Sequence, residues 1–155
     1  MRSQRDFYKI EITQAAAQDI AKLKSLALNF NKPDAIYKLI WEVYYKAPME
    51  ALFKKVLGEN SARGGIYKIT NIKNEKVYIG RSTKFLDRWR THSKRGCGIE
   101  TIKGLLYEAM LKEGLENFTF EVLEVCDKEA QSEREKYWIK FYKADEWGYN
   151  QTKGG

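Results

Sequence analysis

The 155-residue sequence holds little of the chemistry that builds metal cages or covalent frameworks: two cysteines, Cys97 and Cys126, and one histidine, His92. Two isolated cysteines do not make a disulfide scaffold, so reduced thiols inside a cell are expected. Structural zinc wants about four Cys or His ligands at paired spacings, which this chain does not offer, so any metal should be held by oxygen. No apolar run approaches the roughly 18 residues of a membrane span. Arg2, Arg5, Asp6, Lys9, Glu11 and Asp19 break up the first 20 residues, which excludes a secretory apolar segment. The expected location is the cytoplasm, with no membrane partner. Internal repeats and low-complexity segments are also absent.

What is present suits a folded protein: 43% hydrophobic, 32% charged and 14% aromatic residues. The net charge of +7 is unevenly placed. Residues 63–95 hold ten Lys or Arg against two acids, Glu75 and Asp87, whereas residues 96–155 hold eight against twelve. Positive charge gathered in one stretch is the distribution expected of a face that meets a polyanion.

The chain divides near residue 62. Before it, FYKIEI at 7–12 alternates weakly as a strand would. Ala16, Ile20, Leu23, Ala27 and Phe30 then recur at helical spacing over 14–30. Pro33 opens a second helix with Ile36, Leu39, Ile40 and Val43, and Ala47-Pro48 interrupts before a third that ends at Gly58. Residues 1–62 therefore read as a helical N-terminal extension. After it, GIYKIT and KVYIG flank the polar NIKNE, a hairpin pattern. Ser82 is the expected N-cap of a helix carrying Phe85, Leu86, Arg88, Trp89 and His92. Ile102, Leu105, Leu106, Ala109 and Met110 mark another helix ending at Gly114, FTFEVLEV at 118–125 a third strand, and 129–142 a last helix. The order β-β-α-α-β-α predicts an α+β fold in which a small three-stranded antiparallel sheet is flanked by helices, over residues 63–155.

Several side chains in this second part suit chemistry on an anion. Tyr67 and Tyr78 sit one per hairpin strand, so both hydroxyls share one edge if the register permits. Arg88 and His92, four apart, share a helix face, and a guanidinium fork matches phosphate oxygens. Arg81, Lys84, Arg90, Lys94 and Arg95 surround them as candidate DNA-binding residues. Glu135 lies on the apolar stripe of the last helix with Trp138, Ile139 and Tyr142, where a carboxylate needs a compensating partner. That partner is either an ion pair with Arg88 or a hard divalent cation. Asn150, in GYNQT, orients a side chain or shapes a turn.

Gly65-Ile66-Tyr67, Tyr78-Ile79-Gly80, RSTKFLDRWRTH, AMLKEGLENFTFEVLE, EREKYWI and GYNQTKGG, in this order, resemble the GIY-YIG nucleases over residues 64–155. Within that family they look most like the catalytic module of phage homing endonucleases. The resemblance implies a DNA endonuclease dependent on Mg²⁺ or Mn²⁺, of restriction or mobile-element type. Tyr67 would act as general base or position the attacking water, with Tyr78 assisting. Arg88 would hold the scissile phosphate, Glu135 would bind the metal, His92 would assist proton transfer, and Asn150 would support the site. The sequence departs from the phage relatives in lacking a second histidine around Thr101 and a long C-terminal DNA-binding region. One motif set implies one strand cut per site, so a double-strand cut would call for a homodimer or a second encounter. The alternatives are an inactive DNA-binding protein of the same fold and a structure-specific DNA repair nuclease.

Overall fold

The computed structural model describes residues 7–100 and 103–154. Three helices come first: α1 (Gln14–Ala27), α2 (Asp34–Ile40) and α3 (Lys46–Leu57). Thr13 caps α1 by accepting from the Ala16 N–H at 3.1 Å. Strand β1 (Gly65–Asn71), strand β2 (Val77–Ser82), α4 (Phe85–Gly96), α5 (Leu105–Glu113), strand β3 (Phe118–Val125), α6 (Lys128–Tyr142) and the short α7 (Ala144–Trp147) follow. The three strands form one antiparallel sheet in the order β2-β1-β3. This is the expected α+β arrangement.

Three local expectations are corrected. Residues 7–12 form no strand: Phe7 and Tyr8 lie in a tight turn, and Ile10 is buried in the core, so its apolar side chain is used without any sheet pairing. Pro48 does not break the helical path. Instead, Trp41–Tyr45 forms a wide π-type turn, in which the Lys46 N–H reaches back to the Trp41 carbonyl, and α3 starts directly after it. A proline removes one N–H and crowds the carbonyl four residues earlier, here that of Tyr44, and a widened turn accommodates both effects. Ser82 does not cap α4. Its hydroxyl accepts from the Lys84 N–H and donates to the Lys84 carbonyl, while the Phe85 and Leu86 amides bond to the carbonyls of Arg63 and Ser61. The linker between the two parts of the chain thus satisfies the helix start. Ile102, expected on the α5 stripe, lies outside the described residues.

Cross-strand partners share a sheet face, which sorts the sheet into two surfaces. Tyr67, Ile69, Tyr78, Phe118, Phe120 and Val122 face α3, α4 and α5. There the rings of Phe53, Trp89 and Phe120 pack on one another with centroids 5.0 to 5.5 Å apart, which fixes where α4 crosses the sheet. Ile40, Trp41, Met49, Phe53 and Leu57 from the N-terminal helices belong to this same core. Ile66, Val77 and Ile79 face the other way and pack on Ile139 of α6 and Ala144 of α7.

Candidate active site

The two namesake tripeptides meet across the β1-β2 pairing. Tyr67 pairs with Gly80 and Ile69 with Tyr78, so both tyrosines stand on the α4 side of the sheet with ring centroids 6.4 Å apart. Gly80 leaves room for the neighbouring ring, because a Cβ there would lie 2.3 Å from the Tyr67 hydroxyl. Helix α4 brings Arg88 and His92 over them. The Tyr67 hydroxyl is 2.6 Å from His92 Nε2, and His92 Nδ1 is 2.8 Å from the hydroxyl of Tyr107 on α5. The Arg88 guanidinium lies near enough to the Tyr67 and Tyr78 hydroxyls for its charge to oppose the rise in both their pKa values.

The electrostatics follow from burial. Tyr67 and His92 are fully buried, whereas Tyr78 is half-buried. Burial pushes the Tyr67 hydroxyl well above its ordinary 10.0, with Tyr78 adding to the rise and Arg88 opposing it. Tyr78 is raised by burial, against the pull of Arg88, with Tyr107 and Glu135 adding to the rise. His92 is held well below 6.5, first by burial and then by the charges of Arg88 and Arg95, so at neutral pH its ring is uncharged. A cleft of about 160 Å³ opens beside these groups, lined among others by Tyr78, Arg88, Arg95, Lys103 and Tyr107. Tyr78 lines this cleft. Tyr67 and His92 stand behind it.

Glu135 reaches this region from the other side of the sheet. Its side chain is only 13% exposed, and its Oε1 lies 3.8 Å from Arg81 Nε. Its charge is felt at Tyr78. Asn150 is buried and satisfied by backbone: its Oδ1 accepts from the Ile79 N–H and its Nδ2 donates to the Ile79 carbonyl, both at 2.8 Å. The Tyr149 N–H bonds to the Val77 carbonyl at 2.9 Å. The closing segment therefore lines the outer edge of β2 and holds the strand that carries Tyr78.

The candidate DNA-binding residues divide by their partners. Lys84 and Lys94 are exposed. Arg90 forks onto Glu50 of α3, with Nε 2.7 Å from Oε1, and Arg95 lies over the Tyr107 ring and pairs with Glu100 at 3.7 Å. Arg81 pairs with Glu135. Lys24 of α1 donates to the Leu111 carbonyl at 2.8 Å, and burial lowers its pKa. Tyr107 was not singled out from the sequence. The available signal was a lone hydroxyl-bearing aromatic beside the apolar stripe of α5, on the helix after the only histidine.

The family profile of the GIY-YIG catalytic domain matches residues 63–150, more than half of the chain. The chain belongs to the GIY-YIG family. Intron-associated endonuclease 1 of Enterobacteria phage T4 is 38% identical over 93 residues, covering 57% of this chain and 36% of the relative. This chain thus spans about a third of the length of that curated relative. Among solved structures, the catalytic domain of homing endonuclease I-TevI superposes with a TM-score of 0.50 at 31% identity, covering 58% of this chain and 99% of that one. A point mutant of the same domain gives 0.51 at 30% identity, over 60% and 97%. The sheet and its flanking helices are accordingly those of a GIY-YIG domain, a catalytic one.

No group of three or more His, Cys, Asp or Glu that could cage a metal occurs among the described residues of the GIY-YIG domain or its extension. Both cysteines are free thiols, Cys97 buried. No helix among those residues is long and apolar enough to cross a membrane.

Proposed function

We propose that this chain is a divalent-metal-dependent endonuclease that hydrolyses DNA phosphodiester bonds, of the mobile-element or restriction type. The observation that carries the reading is that Arg88 and Tyr78 line one cleft, with the buried Tyr67–His92 pair behind them. The phage T4 relative, an intron-associated endonuclease, agrees with it.

Arg88 supplies a planar fork of donors that fits two phosphate oxygens and offsets the charge built up on the phosphate during attack. Tyr78, at the cleft wall, orients the attacking water. Tyr67, buried behind it, anchors Arg88 and borrows the His92 ring as its own partner. Glu135 is the residue that would hold the metal. A single carboxylate suits a hard cation such as Mg²⁺ or Mn²⁺, which completes its shell with water and phosphate oxygens rather than with a protein cage. When bound, such an ion supplies Lewis-acid stabilisation of phosphate charge. Lys84 and Lys94, both exposed, contact backbone phosphates and position the duplex without reading sequence.

The test is incubation of supercoiled plasmid with the purified chain, with Mg²⁺ or Mn²⁺ and with EDTA. Metal-dependent conversion to nicked DNA is expected. Retained DNA binding with no nicking under either metal would contradict the reading and leave a binding protein of the same fold. Cleavage confined to branched or bubbled DNA would make it a structure-specific repair nuclease instead.

A further inference from the structure

The His92 ring is fully buried and lies between two hydroxyls, Tyr67 at 2.6 Å from Nε2 and Tyr107 at 2.8 Å from Nδ1. A neutral imidazole donates through one nitrogen and accepts at the other, so these contacts have a direction. The Tyr67 hydroxyl is fully buried, and His92 Nε2 is the acceptor within reach of its proton. The Tyr67 proton is then directed to Nε2. Nδ1 becomes the protonated nitrogen, and the Tyr107 oxygen becomes its acceptor. The other end of the chain is consistent with this direction. Tyr107 is half-buried and lines the cleft, so its own proton can turn to solvent while its oxygen, 3.5 Å from Arg95 Nη1, also accepts from Nδ1.

We infer that Tyr107 is a positioning residue for the cleavage reaction: by accepting from His92 Nδ1 it sets the tautomer that frees the Tyr67 oxygen to hold Arg88 in place. The inference rests on the nuclease reading above for its effect on rate, but its structural half stands without it. With no hydroxyl at position 107, a proton on Nδ1 would be a buried donor lacking a partner, a costly arrangement. The proton therefore moves to Nε2. Nε2–H then points at the Tyr67 oxygen, and the Tyr67 proton, without its buried acceptor, turns toward Arg88 and pushes the guanidinium away.

Tyr107→Phe removes the hydroxyl and keeps the ring that lies beside His92 and under Arg95. Because His92 is the only histidine, NMR of the chain with nitrogen-15-labelled histidine reports this ring alone. The wild type is expected to show the Nδ1–H tautomer and Tyr107→Phe the Nε2–H tautomer. In plasmid nicking, Tyr107→Phe should lower kcat about 10- to 100-fold, the range for loss of an outer partner of a functional group. KM and the melting temperature should stay close to wild type. An Nε2–H tautomer in the wild type overturns the inference, as does an unchanged tautomer in Tyr107→Phe, or an unchanged kcat when the wild type is active. A wild type that binds DNA but does not cleave it overturns the nuclease reading instead, while the tautomer measurement still decides the direction of the chain.

Discussion

Tyr67 and Gly80 are direct cross-strand partners, and the tyrosine ring lies over the glycine so closely that a Cβ at position 80 would fall 2.3 Å from the hydroxyl oxygen. The two tripeptides are thus a single packing unit. The glycine of one makes room for the tyrosine of the other. Gly80→Ala should force Tyr67 out of register with His92, destabilising the fold by about 1–3 kcal/mol as an overpacked core does. Chemical denaturation together with nicking assays would show both losses. An alanine variant of wild-type stability and rate would mean that the ring is not confined there.

In the proposed function Arg88 grips phosphate as a fork, so charge alone should not replace it. Arg88→Lys and Arg88→Ala are both expected to lower the cleavage rate by about 10²–10³, the usual cost of removing one preorganised electrostatic contact. DNA affinity, measured by fluorescence anisotropy at fixed salt, should fall much less. A lysine variant that cleaves at the wild-type rate would show that only the charge matters.

Asn150 bonds to both backbone groups of Ile79 with its side-chain amide. Asn150→Ala would leave a buried N–H and a buried C=O without partners, a loss of about 1–3 kcal/mol for each group. The expected readout is a lower melting temperature that accompanies any loss of activity. Full thermal stability with abolished cleavage would instead give Asn150 a direct part in the chemistry.

His92 stays uncharged in the fold because burial, with Arg88 and Arg95 nearby, holds it well below 6.5. The unfolded chain takes up that proton near 6.5 and the folded chain does not, so below this pH the unfolded state binds more protons and folding stability falls. Above it the group contributes no pH dependence. His92→Gln should therefore lose less stability than the wild type as the pH drops from 7 through 6.5 and below. Unfolding free energies measured across that range check the difference. Parallel curves for the two proteins would contradict a depressed His92.

The sheet, its hairpin and the later helices were legible in the sequence because local signals agree with the packing. GIYKIT and KVYIG are β-branched and aromatic, and the polar NIKNE between them becomes the turn. The α4 stripe of Phe85 and Trp89 does pack on the sheet. The misses arise where tertiary partners override local preference. FYKIEI alternates like a strand, yet its Ile10 is buried in the core without pairing to any strand. Ser82 looks like a cap, yet the amides at the start of α4 are taken by the carbonyls of Arg63 and Ser61. At the site, Tyr67, Tyr78, Arg88 and His92 were named from sequence and lie together. Arg90, named for DNA, is committed to Glu50, and nothing along the chain links positions 40 residues apart. Tyr107 was missed for the same reason, since its partner on α4 is set by how two helices cross.

The central claim is that Arg88, Tyr78 and Glu135 form one metal-assisted centre. Its most direct test is single-turnover plasmid nicking at saturating protein, with Mg²⁺ titrated from zero, for wild type and Glu135→Ala. The account predicts a rate that rises and saturates with metal in the wild type and falls by at least about 10² in Glu135→Ala, with DNA binding retained. Glu135→Ala cleaving at the wild-type rate with the same metal dependence would contradict it.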